Sequence, residues 1–177
     1  MSLRIGHGLD AHRLALGRPL MLGGVPIPSD QGLAGHSDGD AAAHALADAC
    51  LGAAGLGTMG DHFPSGDERW RGVSGREFLE LVAARLAAAG ARVLSAQVVL
   101  VCAQPRLGPF FASMGETMSE ALGAPHGTVV VGPRAATVSA RPGVARGSSP
   151  PPSPCSRSAE GRPPASIRAT RRARWRP

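Results

Sequence analysis

Apolar and polar positions alternate between two periods along the first 133 residues. Leu3-Arg4-Ile5 alternates and runs into Gly6-His7-Gly8, which predicts a short strand and then a loop. Pro19-Leu20-Met21-Leu22 and Val25-Pro26-Ile27-Pro28 flank Gly23-Gly24, the pattern of strand, turn and strand. A polar break at His36-Ser37-Asp38-Gly39-Asp40 precedes an apolar stretch over 40–54 that Gly55 stops. That pattern predicts a helix with Ser37 or Asp38 as its N-cap. Residues 57–71 are Gly-rich and predict irregular chain. Ser74 and Glu77 have capping-box spacing and open an amphipathic helix to about Ala89, with Gly90 as its stop. Val93 to Cys102 is the best strand, with Val98-Val99-Leu100-Val101 as its buried run. A helix over about 106–122 ends at Gly123, and Thr128 to Val131 reads as a last strand. Strands alternating with helices predict an α/β layer fold with helices covering one sheet face.

Composition narrows this picture. The chain has 177 residues, 43% hydrophobic, with 3% aromatic and no Tyr, so Leu, Val and Ala must fill the core. No apolar run approaches the roughly 18 residues that cross a bilayer, and Met1-Ser2-Leu3-Arg4 begins no signal peptide. Three cysteines, Cys50, Cys102 and Cys155, lie far apart in an odd count, which predicts no disulfide framework. Together these features point to a soluble, cytoplasmic protein with no membrane partner.

A net charge of +6 and pI near 11.1 would suggest nucleic acid as a partner. The distribution argues otherwise. Residues 1–133 carry nine Arg against twelve Asp or Glu, a net of −3, whereas 134–177 carry ten Arg against Glu160 alone, a net of +9. Nine of the sixteen prolines also fall in 133–177. A domain over 1–133 followed by a disordered Arg/Pro/Ser-rich tail over 134–177 is therefore expected, since so little Leu, Ile and Phe cannot offset chain entropy. With an acidic body, nucleic acid is not expected as a partner.

Three clusters carry candidate chemistry. Asp10 and His12 are two apart and would share one face of extended chain, while His44 sits one turn into the first long helix. A carboxylate and two imidazoles leave one position open on a tetrahedral zinc, as catalytic zinc requires. Spacing alone equally allows a surface Asp10, a core-edge His12 and a His44 satisfied on its helix. The second cluster, His36 to Asp40, crowds a helix N-terminus, where N–H groups and the dipole favour an anion such as phosphate. Capping alone would use only one of these residues. The third, Gly60 to Asp67, is either an exposed turn or a substrate-contacting loop.

In this order the pieces resemble the 2-C-methyl-D-erythritol 2,4-cyclodiphosphate synthases. The resemblance rests on Arg4-Ile5-Gly6-His7-Gly8-Leu9-Asp10-Ala11-His12, then Ile27-Pro28, Gly32-Leu33, and His36-Ser37-Asp38-Gly39-Asp40 with Ala43-His44-Ala45-Leu46 and Asp48-Ala49. Leu51-Gly52-Ala53-Ala54, Gly57, Gly60, Phe63-Pro64, Ser74, Arg76, Leu79 and Pro105-Arg106-Leu107 complete it. It covers about residues 2–131 and leaves no fused partner expected ahead of it. The fold it implies is α/β, a mixed four-stranded sheet with helices packed on one face, in a homotrimer with active sites between subunits. The reaction it implies closes 4-diphosphocytidyl-2-C-methyl-D-erythritol 2-phosphate to the cyclic diphosphate and releases CMP.

By the same resemblance, Asp10, His12 and His44 would bind zinc, and a second divalent ion, Mg2+ or Mn2+, would bridge the diphosphate. His36 would be catalytic, and Asp10, Ala11, His12, His36 and Ser37 would face substrate. Thr58, Met59 and Gly60, with Phe63, Pro64, Ser65, Gly66 and Asp67, would border the methylerythritol phosphate. Cys102, Ala103, Gln104, Pro105, Arg106, Leu107 and Gly108 would line the cytidine side. Thr58 and Ser65 depart from the family, in which acids occur at these positions.

The C-terminus departs further. The resemblance implies an Ala-Thr-Thr-like segment, an acid, a G-L-G-x-T-G-R-G-E-G run and an apolar helix, and none is readable from Gly132 onward. Permitted codons for Ala136 to Ser148, read one base out of frame, translate as D-G-L-G-S-T-G-R-G-E-G-L. A frameshift between about Thr128 and Ala135 is therefore expected. The alternative is a zinc-binding homologue crippled by a genuine tail.

Overall fold

The computed structural model describes residues 2–133. The tail expected over 134–177, Cys155 and the out-of-frame run lie outside the described residues.

The chain forms β1 (Leu14–Leu16), β2 (Leu20–Leu22), β3 (Val25–Ile27), β4 (Gln31–Leu33), α1 (Ala41–Ala54), α2 (Met59–His62), α3 (Gly75–Ala88), β5 (Ala96–Leu100), α4 (Phe111–Ala121) and β6 (Val129–Pro133). Single 3-10 turns lie at Glu68–Trp70 and Gly108–Phe110. α1 buries Ala42, Ala43, Leu46, Ala47, Cys50 and Leu51, a stripe at helical spacing. It packs against α3, which buries Phe78, Leu79, Val82 and Leu86. A Cβ at Gly75 would come 2.6 Å from the Asp40 Cβ, so only glycine lets the first turn of α3 sit this close to the start of α1. β5 and β6 run parallel in register Ala96↔Val129 to Leu100↔Pro133, with α4 as the crossover. Ser119 fastens that unit: its hydroxyl donates to the Gly115 carbonyl at 2.7 Å and accepts the Val129 N–H at 3.0 Å. Val98, Val129 and Val131 are buried, while Val99, Val101 and Val130 are exposed on or beside the other face.

The α/β class holds, and the expected strand, turn and strand is the β2–β3 hairpin. Its register is Leu20↔Ile27 to Leu22↔Val25, around Gly23 (φ 59°) and Gly24 (φ 73°). Positive φ at both turn positions matches the right-handed strand twist. Among the described residues the strands form three two-stranded ladders, β1 with β4, β2 with β3, and β5 with β6, rather than the one four-stranded sheet expected. Leu3-Arg4-Ile5 enters no ladder. Gly6 and Gly8 press the backbone of that run against α1, where a Cβ would collide with the carbonyls of Ala49 and Ala45. The Gly-x-Gly spacing marks this close approach as well as a turn. The Leu14–Leu16 strand was not read from the sequence, because three residues carry too little periodicity.

The helices over 40–54 and from Ser74 match closely. The N-cap of α1 is Asp40, not Ser37 or Asp38. Gly55 ends α1 in the left-handed region, and Ser74 and Glu77 form the expected capping box. The long strand expected over 93–102 is ordered as strand only at Ala96–Leu100. The helix expected from 106 begins regularly at Phe111, after a 3-10 turn carrying Pro109. The stretch 57–71 is less irregular than its glycines suggest. The Thr58 N–H and hydroxyl both donate to Asp61, which opens α2, and Asp67 caps the 3-10 turn.

Candidate metal centre

Asp10, His12 and His44 come together as the spacing allows. Asp10 Oδ2 lies 2.9 Å from His12 Nε2 and 3.1 Å from His44 Nδ1. One donor atom from each of the three lies within 4.8 Å of the others. Zinc ligands about 2 Å from the ion stand about 3.3 Å apart at tetrahedral corners, so this donor set fits a zinc-sized divalent ion.

Each ligand is held by a different element. The Ala11 N–H donates to Asp10 Oδ1 at 2.8 Å, leaving Oδ2 for the imidazoles. His12 Nδ1 lies 2.6 Å from the Ala34 carbonyl, just beyond β4. A carbonyl only accepts, so Nδ1 carries a hydrogen, and Nε2 is the ring nitrogen turned to the centre. His44 stands on α1 with its Nε2 3.3 Å from Ser37 Oγ and its ring edge-on to Phe78 of α3, centroids 5.6 Å apart. Burial pushes the Asp10 carboxyl up, but hydrogen bonds and charge from His44 and His12 outweigh it and hold the pKa below its ordinary value. A carboxylate that stays ionised suits a cation site.

The 36–40 loop is built by its own side chains. Ser37 Oγ accepts the Gly39 N–H at 3.2 Å, and Asp38 accepts the N–H groups of Asp40 (3.0 Å) and Gly75 (2.8 Å). Fully buried Asp40 accepts from Gly23, Gly24 and Ala43 at 2.8, 2.6 and 3.0 Å, tying the hairpin to α1. Asp38 and Asp40 are thus structural, and the N–H groups that could have bound an anion at Gly39, Asp40 and Ala43 are taken. Arg18 grips the same loop through the carbonyls of Gly35 (3.1 Å) and Ser37 (2.9 Å). The His36 Nε2 is buried without a hydrogen-bond partner among the described residues. Arg18, the Ala34 carbonyl and Phe78 were not singled out from the sequence: nothing local marks a residue that acts across the fold.

Thr58 and Gly60 are exposed, and the Met59 N–H donates to Asp48 at 2.7 Å. Phe63 is in the core, 5.0 Å from both Trp70 and Phe78 between centroids. Phe78 therefore touches both His44 and the loop. Pro64, Ser65 and Gly66 are exposed, and Asp67 is bound by Arg69. Cys102, Ala103, Gln104 and Leu107 border one cavity of about 1700 Å3 with Asp10, Ala11 and His12. Pro105, Arg106 and Gly108 lie outside its lining, Arg106 being exposed. Cys50 and Cys102 are free, and burial pushes the Cys50 thiol up to about 11. Among the described residues no helix is long and apolar enough to cross a membrane.

By class, this is an α/β protein with a candidate metal site of one carboxylate and two imidazoles, set between an N-terminal segment and the first long helix. The chain belongs to the YgbB family, whose model matches residues 3–140. It is 50% identical over 119 residues to a 2-C-methyl-D-erythritol 2,4-cyclodiphosphate synthase of Symbiobacterium thermophilum, covering 67% of this chain and 76% of that one. A solved 2C-methyl-D-erythritol-2,4-cyclodiphosphate synthase in a CDP-bound form superposes with a TM-score of 0.68 at 45% identity, over 73% of this chain and 87% of that one. The bifunctional IspDF of Campylobacter jejuni also matches, with a TM-score of 0.68 at 30% identity, over 75% of this chain. The match covers 36% of that longer protein.

Proposed function

We propose that this protein is a 2-C-methyl-D-erythritol 2,4-cyclodiphosphate synthase of non-mevalonate isoprenoid biosynthesis. It closes 4-diphosphocytidyl-2-C-methyl-D-erythritol 2-phosphate to the 2,4-cyclodiphosphate and releases CMP. The observation that carries this is the convergence of Asp10, His12 and His44 in a chain half identical to a named synthase.

An oxygen of the 2-phosphate attacks the β-phosphorus. The bond from that phosphorus to the CMP oxygen breaks, and CMP leaves with the electron pair. No outside nucleophile is needed, so catalysis is positioning and charge neutralisation. Asp10, His12 and His44 would hold a zinc ion, which would supply Lewis-acid polarisation to phosphate. His36 donates from its unpartnered ring nitrogen to developing phosphate charge, and Ser37 faces the same phosphate. Residues 58–60 and 63–67 border the methylerythritol phosphate, with Thr58 and Ser65 making neutral contacts. Residues 102–108 line the cytidine. A second divalent ion, Mg2+ or Mn2+, would share in neutralising the diphosphate charge.

The protein is a cytoplasmic homotrimer in this reading. Exposed Val99, Val101 and Val130 support it, since three apolar side chains on or beside one small sheet call for a partner surface. Residues 134–177 are an out-of-frame tail. The cavity of about 1700 Å3, walled by Leu, Val and Ala of residues 2–12, α1 and β5, supports this. It is larger than ordinary ligand pockets of about 300–1000 Å3, and an in-frame strand and helix would fill it.

The test is CMP release from the diphosphocytidyl substrate by this chain and by a version with the shifted frame restored. Release by the restored version supports the assignment. Zinc uptake without release by either version would overturn it.

A further inference from the structure

We propose that His62 is a positioning residue: by donating to the Leu56 carbonyl and accepting from Arg85 of α3, it clasps the turn over 56–63 and so fixes the shape of the segment that borders substrate. The last clause rests on the functional reading above.

Both hydrogen bonds of the ring have their direction set by the partner. The Leu56 carbonyl, 2.7 Å from His62 Nε2, accepts only, so Nε2 carries a hydrogen. The Arg85 Nε–H donates to His62 Nδ1 at 3.2 Å, and a guanidinium never accepts, so Nδ1 offers its lone pair. One form of the ring meets both demands, the neutral imidazole with its hydrogen on Nε2. Arg85 is itself held in place. Its Nη1 donates to the Leu81 carbonyl, one turn back on α3, at 3.1 Å. Its guanidinium carbon stands 4.6 Å from the centre of the Phe63 ring, and Phe63 is buried against Trp70 and Phe78. The guanidinium is thus braced on the core and presents Nε to the turn.

The turn has a second fastening. The Met59 N–H donates to Asp48 of α1 at 2.7 Å, so the segment is tied to α1 near its start and to α3 near its end. Thr58 and Gly60 lie exposed on it, and exposed Pro64, Ser65 and Gly66 follow directly. These are positions proposed to border the methylerythritol phosphate, and His62 sets where they stand. A rigid ring with a donor on one side and an acceptor on another suits the place. Phenylalanine would keep the ring but leave the Leu56 carbonyl and Arg85 Nε without these partners. Glutamine would keep one donor and one acceptor on a more flexible arm.

The experiment reads the His62 ring nitrogen shifts by NMR in the full chain. It also measures amide exchange at Met59, whose N–H binds Asp48, and at Phe63, whose N–H binds the Met59 carbonyl. The expected tautomer in the unsubstituted chain has its hydrogen on Nε2. Protection of both amides should fall about tenfold in His62→Phe, the scale of one lost hydrogen bond to a charged group, and His62→Gln should restore most of it. In the version of the chain that releases CMP, His62→Phe should raise KM for the diphosphocytidyl substrate about tenfold, with kcat changed less and zinc content unchanged, as expected for lost substrate positioning. A hydrogen on Nδ1, unchanged protection in His62→Phe, equal loss in the Phe and Gln variants, or an unchanged KM overturns the proposal. CMP release by neither version overturns the functional reading instead, and the clasp is then decided by the tautomer and the protection. The tautomer is read without any variant, so misfolding of a variant cannot decide the answer.

Discussion

His44 meets a carboxylate, a hydroxyl and an aromatic edge at once. Removing it should show whether the site is one unit. His44→Ala is expected to lose zinc and CMP release together, checked by metal content after dialysis; full retained zinc would refute its role as ligand. His36 is proposed to meet substrate without ligating the metal. His36→Ala should keep zinc and lower turnover by about 10²-fold or more, the usual loss for one donor to developing charge. Asp40 is a contrast, because it is buried and bound only to backbone N–H groups. Asp40→Asn keeps the volume but has one accepting oxygen instead of two. It should lower unfolding free energy by about 1–3 kcal/mol, measured in urea. The residue types were legible in all three cases. What was not legible is that Asp40 and Asp38 are used up by backbone, because contacts from Gly23, Gly24 and Gly75 decide it, and that His36 Nε2 has no partner among the described residues.

Among the elements, α1 and the run before it depend on each other. Gly6 and Gly8 let that run lie on α1, and Asp10 and His12 follow directly. Gly8→Ala must push the segment away from the Ala45 carbonyl. It should cost about 1–3 kcal/mol as an overpacked contact and weaken zinc binding as well, because Asp10 is displaced. A variant with lower melting temperature but unchanged zinc affinity would separate the two elements. The start of α3 and the end of α1 are legible because these caps are local: Ser74 with Glu77, and Gly55, stand next to the helix ends they set. Strand pairing was read less well. The three-residue strands β1 and β4 carry almost no period, and pairing joins residues far apart in the chain, as at Leu14↔Leu33 and Ala96↔Val129.

At the scale of the molecule, carboxylates set the acid response. Asp61, Asp67, Glu68 and Glu77 are held below the ordinary range by hydrogen bonds from Thr58, Arg69, Arg71 and Ser74 respectively. A folded pKa below the unfolded value adds stability that is present above the unfolded value and lost as pH falls through the folded one. Asp40 acts in the opposite sense, because burial raises it despite three N–H groups. The melting temperature should be flat above about pH 5 and fall below about pH 4. Scanning calorimetry across that range would show it, and a melting temperature that rises on acidification would mean Asp40 outweighs the rest. The charge asymmetry belongs to this scale too. A −3 body and a +9 tail in one chain are what a reading-frame change in GC-rich codons would produce.

By itself the sequence determined the class of fold, the end of α1, the start of α3 and the three metal-ligand candidates. Each depends on residues close in the chain or on an ordered set of motifs. Only the tertiary structure decided that Asp10, His12 and His44 share one point, that Asp40 rather than Ser37 caps α1, and that Ser37 faces His44. Those outcomes turn on backbone from distant segments arriving within about 3 Å, where a hydrogen bond either forms or does not. No pattern along a single strand or helix carries that information.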